Sequence, residues 1–264
     1  MTLWNPVYRV TVGGQVVTGA TLAGLTITEG RTDIYSQPIA GYCNISLLET
    51  NKSAIPYEIN QSVTIEVKKT NGTYIYLFGG FISDISVEIA TAGATALSQR
   101  INIIALGALA RLARATYSGS ITGANDGDQI YQVLLDTLFN NWSEVPAALT
   151  WATYNATETW ANAQNVGLGT IDRPGDYLLD SQTGVLSDIL SLVSRLATSG
   201  LGYIYEDSQG RICYADSTNR SQYLAANGYV ELDANQAIAP GMNVSKKTGD
   251  VRNKVTLTYT AAGT

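Results

Sequence analysis

The sequence predicts a mainly β protein with an α+β insertion: a strand-built N-terminal part, a helix-containing middle and a second β region. Three observations carry this. Apolar and polar residues alternate with period two across most of residues 7–105. Tight-turn dipeptides, Gly13-Gly14 and Asn71-Gly72, separate alternating runs. The apolar spacing then changes to a helical one at Ile130, Val133, Leu134, Leu135 and Leu138.

The elements follow in order. Val7–Val12 alternates, Gly13-Gly14 turns, and Gln15–Thr18 returns as a hairpin. Leu25–Gly30 and Asn44–Leu48 continue the alternation on either side of a loop with Arg31, Gln37, Pro38 and Gly41. Val63, Ile65 and Val67 share one face of a strand, and Thr64, Glu66 and Lys68 the other. Tyr74–Phe78 and Phe81–Ile89 flank Gly79-Gly80, a pair that permits a bulge or sharp bend. Gln99–Ala105 is one more strand. Six or seven strands joined by short turns predict a closed or split barrel rather than a flat sheet.

From 106 the pattern differs. Leu106–Leu112 is expected as a short helix or turn, and 127–140 as a helix capped by Asp126 or a neighbour. A second helix is expected to open at Gly184–Val193 and to end near Gly200. Strands return at Leu201–Glu206 and Arg211–Ala215 around the turn Asp207–Gly210, and again at Val251–Tyr259. The expected domains are therefore 1–106, a β-barrel; 107–200, the helix-containing insertion; and 201–264, a second β region.

Composition narrows function. The chain has 264 residues, 45% apolar and only 14% charged, with 16 Tyr against 3 Phe. A polar, weakly charged surface suits packing against neighbours; it equally suits a stable β protein with Thr- and Tyr-rich strands. The net charge is −6, and no basic run exceeds Lys68-Lys69 or Lys246-Lys247. Sequence-specific nucleic-acid binding through phosphates is not expected. Histidine is absent, which excludes a Ser-His-Asp triad, a Cys-His pair and the commonest transition-metal ligand. Cys43 and Cys213 sit in apolar strand contexts far apart and are expected as buried thiols. Met1–Pro6 has no charged-then-apolar block, so no secretory leader is expected, and no apolar run has the length of a membrane anchor.

Candidate chemical sites are weak. Asn125-Asp126-Gly127-Asp128 begins like a calcium loop, but the twelfth position from Asp126 is Thr137 instead of a bidentate Glu, so helix capping is the better account. Asp172, Asp176 and Asp180 recur at four-residue spacing, yet Pro174-Gly175 breaks any helix, which leaves a surface turn. Trp142, Trp151 and Trp160 repeat every nine residues. They allow a sugar- or base-stacking platform, but aromatic anchors pinning a loop-rich region are favoured. Gly167-Leu168-Gly169 and Gly200-Leu201-Gly202 do not continue as a dinucleotide fingerprint. No catalytic residue, cofactor or metal is expected.

Several segments resemble the phage minor tail proteins of the tail-hub family from long-tailed phages. They are Ile27-Thr28-Glu29-Gly30-Arg31, Gln37-Pro38-Ile39-Ala40-Gly41-Tyr42, Leu77–Asp84, Gly107–Leu112, Thr150-Trp151-Ala152, Gly169–Tyr177, Ser199–Glu206, Gly210–Ser217 and Asn253–Tyr259. The resemblance covers nearly the whole chain. It implies a tube-type split β-barrel that stacks in a ring, in a tail hub or baseplate of a virion, synthesised in the host cytoplasm. The implied partners are further copies of this chain, the tail tube, distal tail or baseplate proteins and the tape measure protein. Family hubs form trimers with two tube barrels per chain. A trimer is favoured on that resemblance, but this chain stops at Thr264, before a second barrel would be complete, which weakens the trimer: either the chain is a short version or a second protein completes the ring, and a hexamer with one barrel per chain stands beside it. DNA would pass through the lumen. Arg31, Gln37 and Tyr42 are expected at or near a subunit contact, the alternative for them being loop packing within the chain. A carbohydrate-binding tail-tip module and a tail-associated cell-wall hydrolase are the competing functions.

Overall fold

A computed structural model of the chain describes residues 6–33, 36–50, 56–89, 98–136 and 168–229. The first half is one antiparallel sheet of seven strands: β1 (Tyr8–Val12), β2 (Gln15–Val16), β3 (Ala20–Gly30), β4 (Ile39–Glu49), β5 (Ser62–Lys68), β6 (Tyr74–Ile89) and β7 (Gln99–Leu106). Their spatial order is β2-β1-β5-β6-β7-β4-β3. The Gly13-Gly14 turn forms as expected, with φ of 57° and 77°, the left-handed pair that a two-residue hairpin needs.

The alternation builds the core. Val63, Ile65 and Val67 face inward from β5, meeting Val10 and Val12 of β1, Phe78 and Ile82 of β6, Ile101, Ile103 and Ala105 of β7, and Cys43, Ile45 and Leu47 of β4. Leu22, Leu25 and Ile27 of β3 pack on the same cluster from the far end of the sheet. The sheet thus wraps one core without closing: β2 and β3 remain its edges, and no ladder joins them among the described residues.

β6 runs unbroken through Gly79-Gly80, and its register shifts fall on either side, opposite Ile65/Glu66 and at Ile82/Asp84. The two glycines serve close approach instead. A Cβ on Gly80 would overlap the carbonyl of Leu106, and one on Gly79 the carbonyl of Gln209.

The second half contains α1 (Ala108–Leu112), β8 (Thr116–Ile121), β9 (Ala124–Asn125), α2 (Asp126–Asp136), β10 (Leu168–Ile171), β11 (Leu178–Leu179), β12 (Gln182–Asp188), α3 (Ile189–Ser199), β13 (Tyr203–Glu206), β14 (Ile212–Ala215) and α4 (Asn219–Asn227). The helix expected from Gly184 begins later. Gln182–Asp188 is a strand paired with β8, because Val185 and Leu186 oppose Gly119 and Ser118 in its ladder. Asp188 then caps α3, its side chain accepting from the Ser191 N–H at 2.8 Å.

A second core is built from Leu109 and Leu112 of α1, Ile130, Val133 and Leu134 of α2, and Ile189, Leu192, Val193 and Leu196 of α3. Ile204 of β13 and Ile212 and Tyr214 of β14 lie in that same cluster. β14 pairs parallel with β10 and antiparallel with β13, so the strands following residue 200 share both a sheet and a core with the helical segment before it. The expected strand at 251–259 lies outside the described residues, as do Trp142, Trp151 and Trp160. Cys43 and Cys213 are free and buried. No described helix is long and apolar enough to cross a membrane.

Ile103 sits fully buried at the centre of the first core. Ile103→Ala is expected to cost about 2–5 kcal/mol, read from the urea midpoint.

Candidate functional site: the joint between the two cores

The two cores meet where β13 and the turn after it lie against β4, β6 and α1. The joint is built around one carboxylate. Glu206 closes β13 and enters a gap walled by Gly41 and Gly107, where a side chain on either glycine would overlap its oxygens. The Gly41 N–H donates to Glu206 Oε1, and the Leu109 N–H donates to Oε2 at 3.0 Å. α1 is a five-residue helix whose N-cap is Gly107, with no capping side chain of its own. Glu206 supplies that cap from across the joint, and negative charge at a helix N-terminus is favourable. Burial pushes the Glu206 carboxyl up, while the backbone donors pull it down.

A second contact is backbone on backbone. Gly79 of β6 lies against Gln209 and Gly210, where a Cβ on Gly79 or on Gly210 would overlap the other segment's main chain. Asp207 holds that turn. Its Oδ1 accepts from the N–H groups of Gln209 and Arg211 at 2.9 and 3.0 Å, and its Oδ2 pairs with Arg211 at 2.6 Å.

The β3–β4 connection makes the third contact. Gln37 Nε2 donates to the Gly202 carbonyl at 3.0 Å and to Thr198 Oγ1 at 3.2 Å, and its Oε1 accepts from the Ile204 N–H at 3.1 Å. The Arg31 guanidinium lies 4.2 Å over the Tyr203 ring. Two of the three residues expected at a subunit contact therefore converge on β13 of their own chain. Tyr42, the third, is exposed on β4, opposite Thr28 and Leu106.

Beneath the joint lies a buried polar pair. Asp126 is fully buried and accepts from the Tyr214 hydroxyl and from the Tyr177 N–H, the latter at 2.9 Å. Gly175 and Gly200 leave the room its oxygens occupy. Burial pushes Asp126 up, and burial beside Asp126 pushes Tyr214 far up. The aspartate expected as a helix cap thus reaches across to β14 from the first position of α2. Asp172 and Asp176, expected in a surface turn, tie their loop to the next one. Asp172 accepts from Asn219 Nδ2 at 2.7 Å, and Asp176 from Ser217 Oγ at 2.6 Å. Among the described residues no cluster of His, Cys, Asp or Glu is placed to hold a metal.

Of the residues that organise the joint, Gly41 stands out in sequence as a loop residue and Gly79 as part of a bend, neither as room for a partner, and Glu206 and Gly107 carry no individual signal. A Glu ending a strand before Asp-Ser-Gln-Gly reads as a solvated turn residue. The only local signal is the cluster of glycines in alternating runs, where glycine weakens a strand unless something must come close.

No protein-family model matches the chain, and no curated protein matches it. Solved structures of two prophage tail proteins and of a secretion-system component are similar to it. One is the 43 kDa tail protein of prophage MuSo2 from Shewanella oneidensis, at TM-score 0.48 and 12% identity over 79% of this chain and 54% of that one. Another is an E. coli component of the type VI secretion system, described as structurally similar to T4 bacteriophage tail proteins gp27 and gp5, at TM-score 0.41 and 13% identity over 78% and 48%. A third is prophage tail protein gp18 from Listeria monocytogenes EGD-e, at TM-score 0.35 and 11% identity over 78% and 49%. The chain spans about half the length of these structures.

Glu206→Ala leaves the Gly41 and Leu109 N–H groups without their acceptor. A loss of about 2–6 kcal/mol is expected, from two orphaned donors at about 1–3 kcal/mol each. Equilibrium urea unfolding measures it, and Glu206→Gln, which keeps an acceptor oxygen, is expected to lose less.

Proposed function

We propose that this chain is a structural component of a phage tail tip or baseplate. In this reading it forms a hub ring that continues or caps the tail tube and links it to the tip during assembly and DNA ejection. The observation that carries the reading is the open sheet, whose long edge strand β3 has no second ladder among the described residues. β3 offers eleven residues, Ala-Thr-Leu-Ala-Gly-Leu-Thr-Ile-Thr-Glu-Gly, with a single charge and no proline. Monomeric proteins protect such edges with lysine, proline or a covering segment. A long and nearly neutral edge with no covering strand among the described residues is suited to strand addition by a neighbour. The segments quoted above for the tail-hub resemblance support the same conclusion.

In the assembled ring the sheet acts as a split tube barrel whose missing closure is supplied between subunits. Heterologous contacts of this kind close into rings. Arg31 and Gln37 shape the corner beside β3 from within the chain, and Tyr42 carries the exposed part of the contact. A trimer is favoured over a hexamer; tail tube, distal tail or baseplate proteins and the tape measure protein meet its faces. The work is done by assembly, with no catalytic step, cofactor or membrane anchor, and the protein resides in the virion after synthesis in the host cytoplasm.

Mass photometry of the purified chain tests this. Rings of three or six subunits are expected, and a wild-type chain that stays monomeric at micromolar concentration would overturn the reading. Thr26 and Thr28 are exposed on β3, and Thr26→Lys with Thr28→Lys is expected to convert rings to monomers while the circular dichroism spectrum stays unchanged. Tyr42→Ala is expected to weaken assembly in the same assay, and unaltered ring mass would remove Tyr42 from the contact.

A further inference from the structure

Asn-Gly occurs twice in the chain, at Asn71-Gly72 and Asn227-Gly228, and the structure gives the two pairs different surroundings. In this dipeptide the asparagine side chain is open to attack by the next main-chain nitrogen, because glycine puts no side chain in the way. Asn71-Gly72 lies at the tip of the β5–β6 hairpin, and residues 69–73 are all exposed. The Lys69 N–H donates to the Thr73 carbonyl at 2.7 Å, and the Gly72 N–H to the Lys69 carbonyl at 2.9 Å. Gly72 takes the left-handed φ of 89°. The Asn71 carboxamide is held at its oxygen: Oδ1 accepts from the Thr73 N–H at 3.1 Å and from the Thr73 hydroxyl at 2.7 Å. An asparagine that bonds the main chain two residues on closes a side-chain turn around the intervening peptide, here the one at Gly72. Asn227, at the end of α4, is held through its other atom. Its Nδ2 donates to the Tyr223 carbonyl at 3.0 Å, and among the described residues no donor reaches its Oδ1.

We propose that Asn71 is a site of spontaneous modification through a succinimide, promoted by the hairpin tip and not by the end of α4. The Gly72 N–H is bonded to Lys69 in an exposed turn, where water replaces that bond when the turn opens. Hydroxide or water takes the Gly72 amide proton, and the nitrogen attacks Asn71 Cγ. The N–Cγ bond forms, the Cγ–Nδ2 bond breaks, and ammonia leaves with a proton from solvent. Water then opens the ring at either of its carbonyls, which leaves aspartate or isoaspartate at 71. Nothing is oxidised or reduced, and water is the only co-reactant. Negative charge develops on Oδ1 during the attack, and donors already fixed on such an oxygen lower the barrier. Asn71 has two of them, both from Thr73. The product places a new carboxylate beside Lys68 and Lys69, and its isoaspartate form lengthens the main chain of the hairpin tip. The proposal concerns the single chain and stands apart from the tail reading.

Peptide mapping by mass spectrometry tests this on the folded chain, aged in mildly alkaline buffer and sampled over time. Conversion at Asn71 is expected to outrun conversion at Asn227. Thr73→Val removes the hydroxyl donor and is expected to slow conversion at Asn71 about two- to tenfold, the worth of one hydrogen bond, with the circular dichroism spectrum unchanged. In the urea-unfolded chain both pairs lose their surroundings and are expected to convert at similar rates. Conversion at Asn71 no faster than at Asn227 in the folded chain, an unchanged rate in Thr73→Val, or a preference for Asn71 that persists undiminished in urea overturns the proposal.

Discussion

The arrangement of the two halves rests on one half-buried carboxylate and the backbone donors that meet it. Glu206 is half-buried in the gap between Gly41 and Gly107, and a carboxylate that gives up part of its water is tolerated where donors meet it. Two backbone N–H groups do so, one from the sheet and one from the short helix that follows it. Each side is incomplete alone. Without Glu206 the helix has no cap and the Gly41 N–H has no acceptor; without the glycines the carboxylate has no room. The hydrophobic cores hold each half together, but this polar contact fixes how β13 sits against the sheet, and the Gln37 bonds and the Gly79–Gln209 approach follow from it.

The same constraint accounts for the glycine pattern. Glycine in a strand costs entropy and packs poorly, yet Gly41, Gly79, Gly80 and Gly107 all lie in or beside strands of the first sheet. Each position is one where another backbone or a carboxylate comes closer than a side chain would allow. Around Asp126 the same device recurs with Gly175 and Gly200. The protein repeatedly trades side-chain volume for close approach of polar groups.

Much of the sheet was legible because burial on one face imposes a period of two. The expected faces of β5 and the Gly13-Gly14 hairpin match the structure because both are set within a few neighbouring residues. The start of α3 was not legible for the converse reason. Gly184–Asp188 carries apolar residues at spacings compatible with a helix, and only its ladder with β8, some 65 residues away, makes it a strand. The loop residues Arg31 and Gln37 stood out by type, but their partners on β13 are about 170 residues distant and leave no local trace. Glu206 was hidden for the same reason, since a strand-ending glutamate before a turn is ordinary in a solvated hairpin.

The position of Glu206 in the chain also sets an order of events. Every ladder of the seven-stranded sheet lies within residues 8–106, whereas the group that fills its glycine gap comes about a hundred residues later. Contacts between distant residues form late, because the intervening loop must first be ordered. The sheet can therefore be complete while its joint is still vacant, with the Gly41 N–H turned toward water. Glu206 ends β13, which pairs with β14, which in turn pairs with β10. The closed joint thus ties the first sheet to strands of the second half, so an intact contact at Gly41 depends on both.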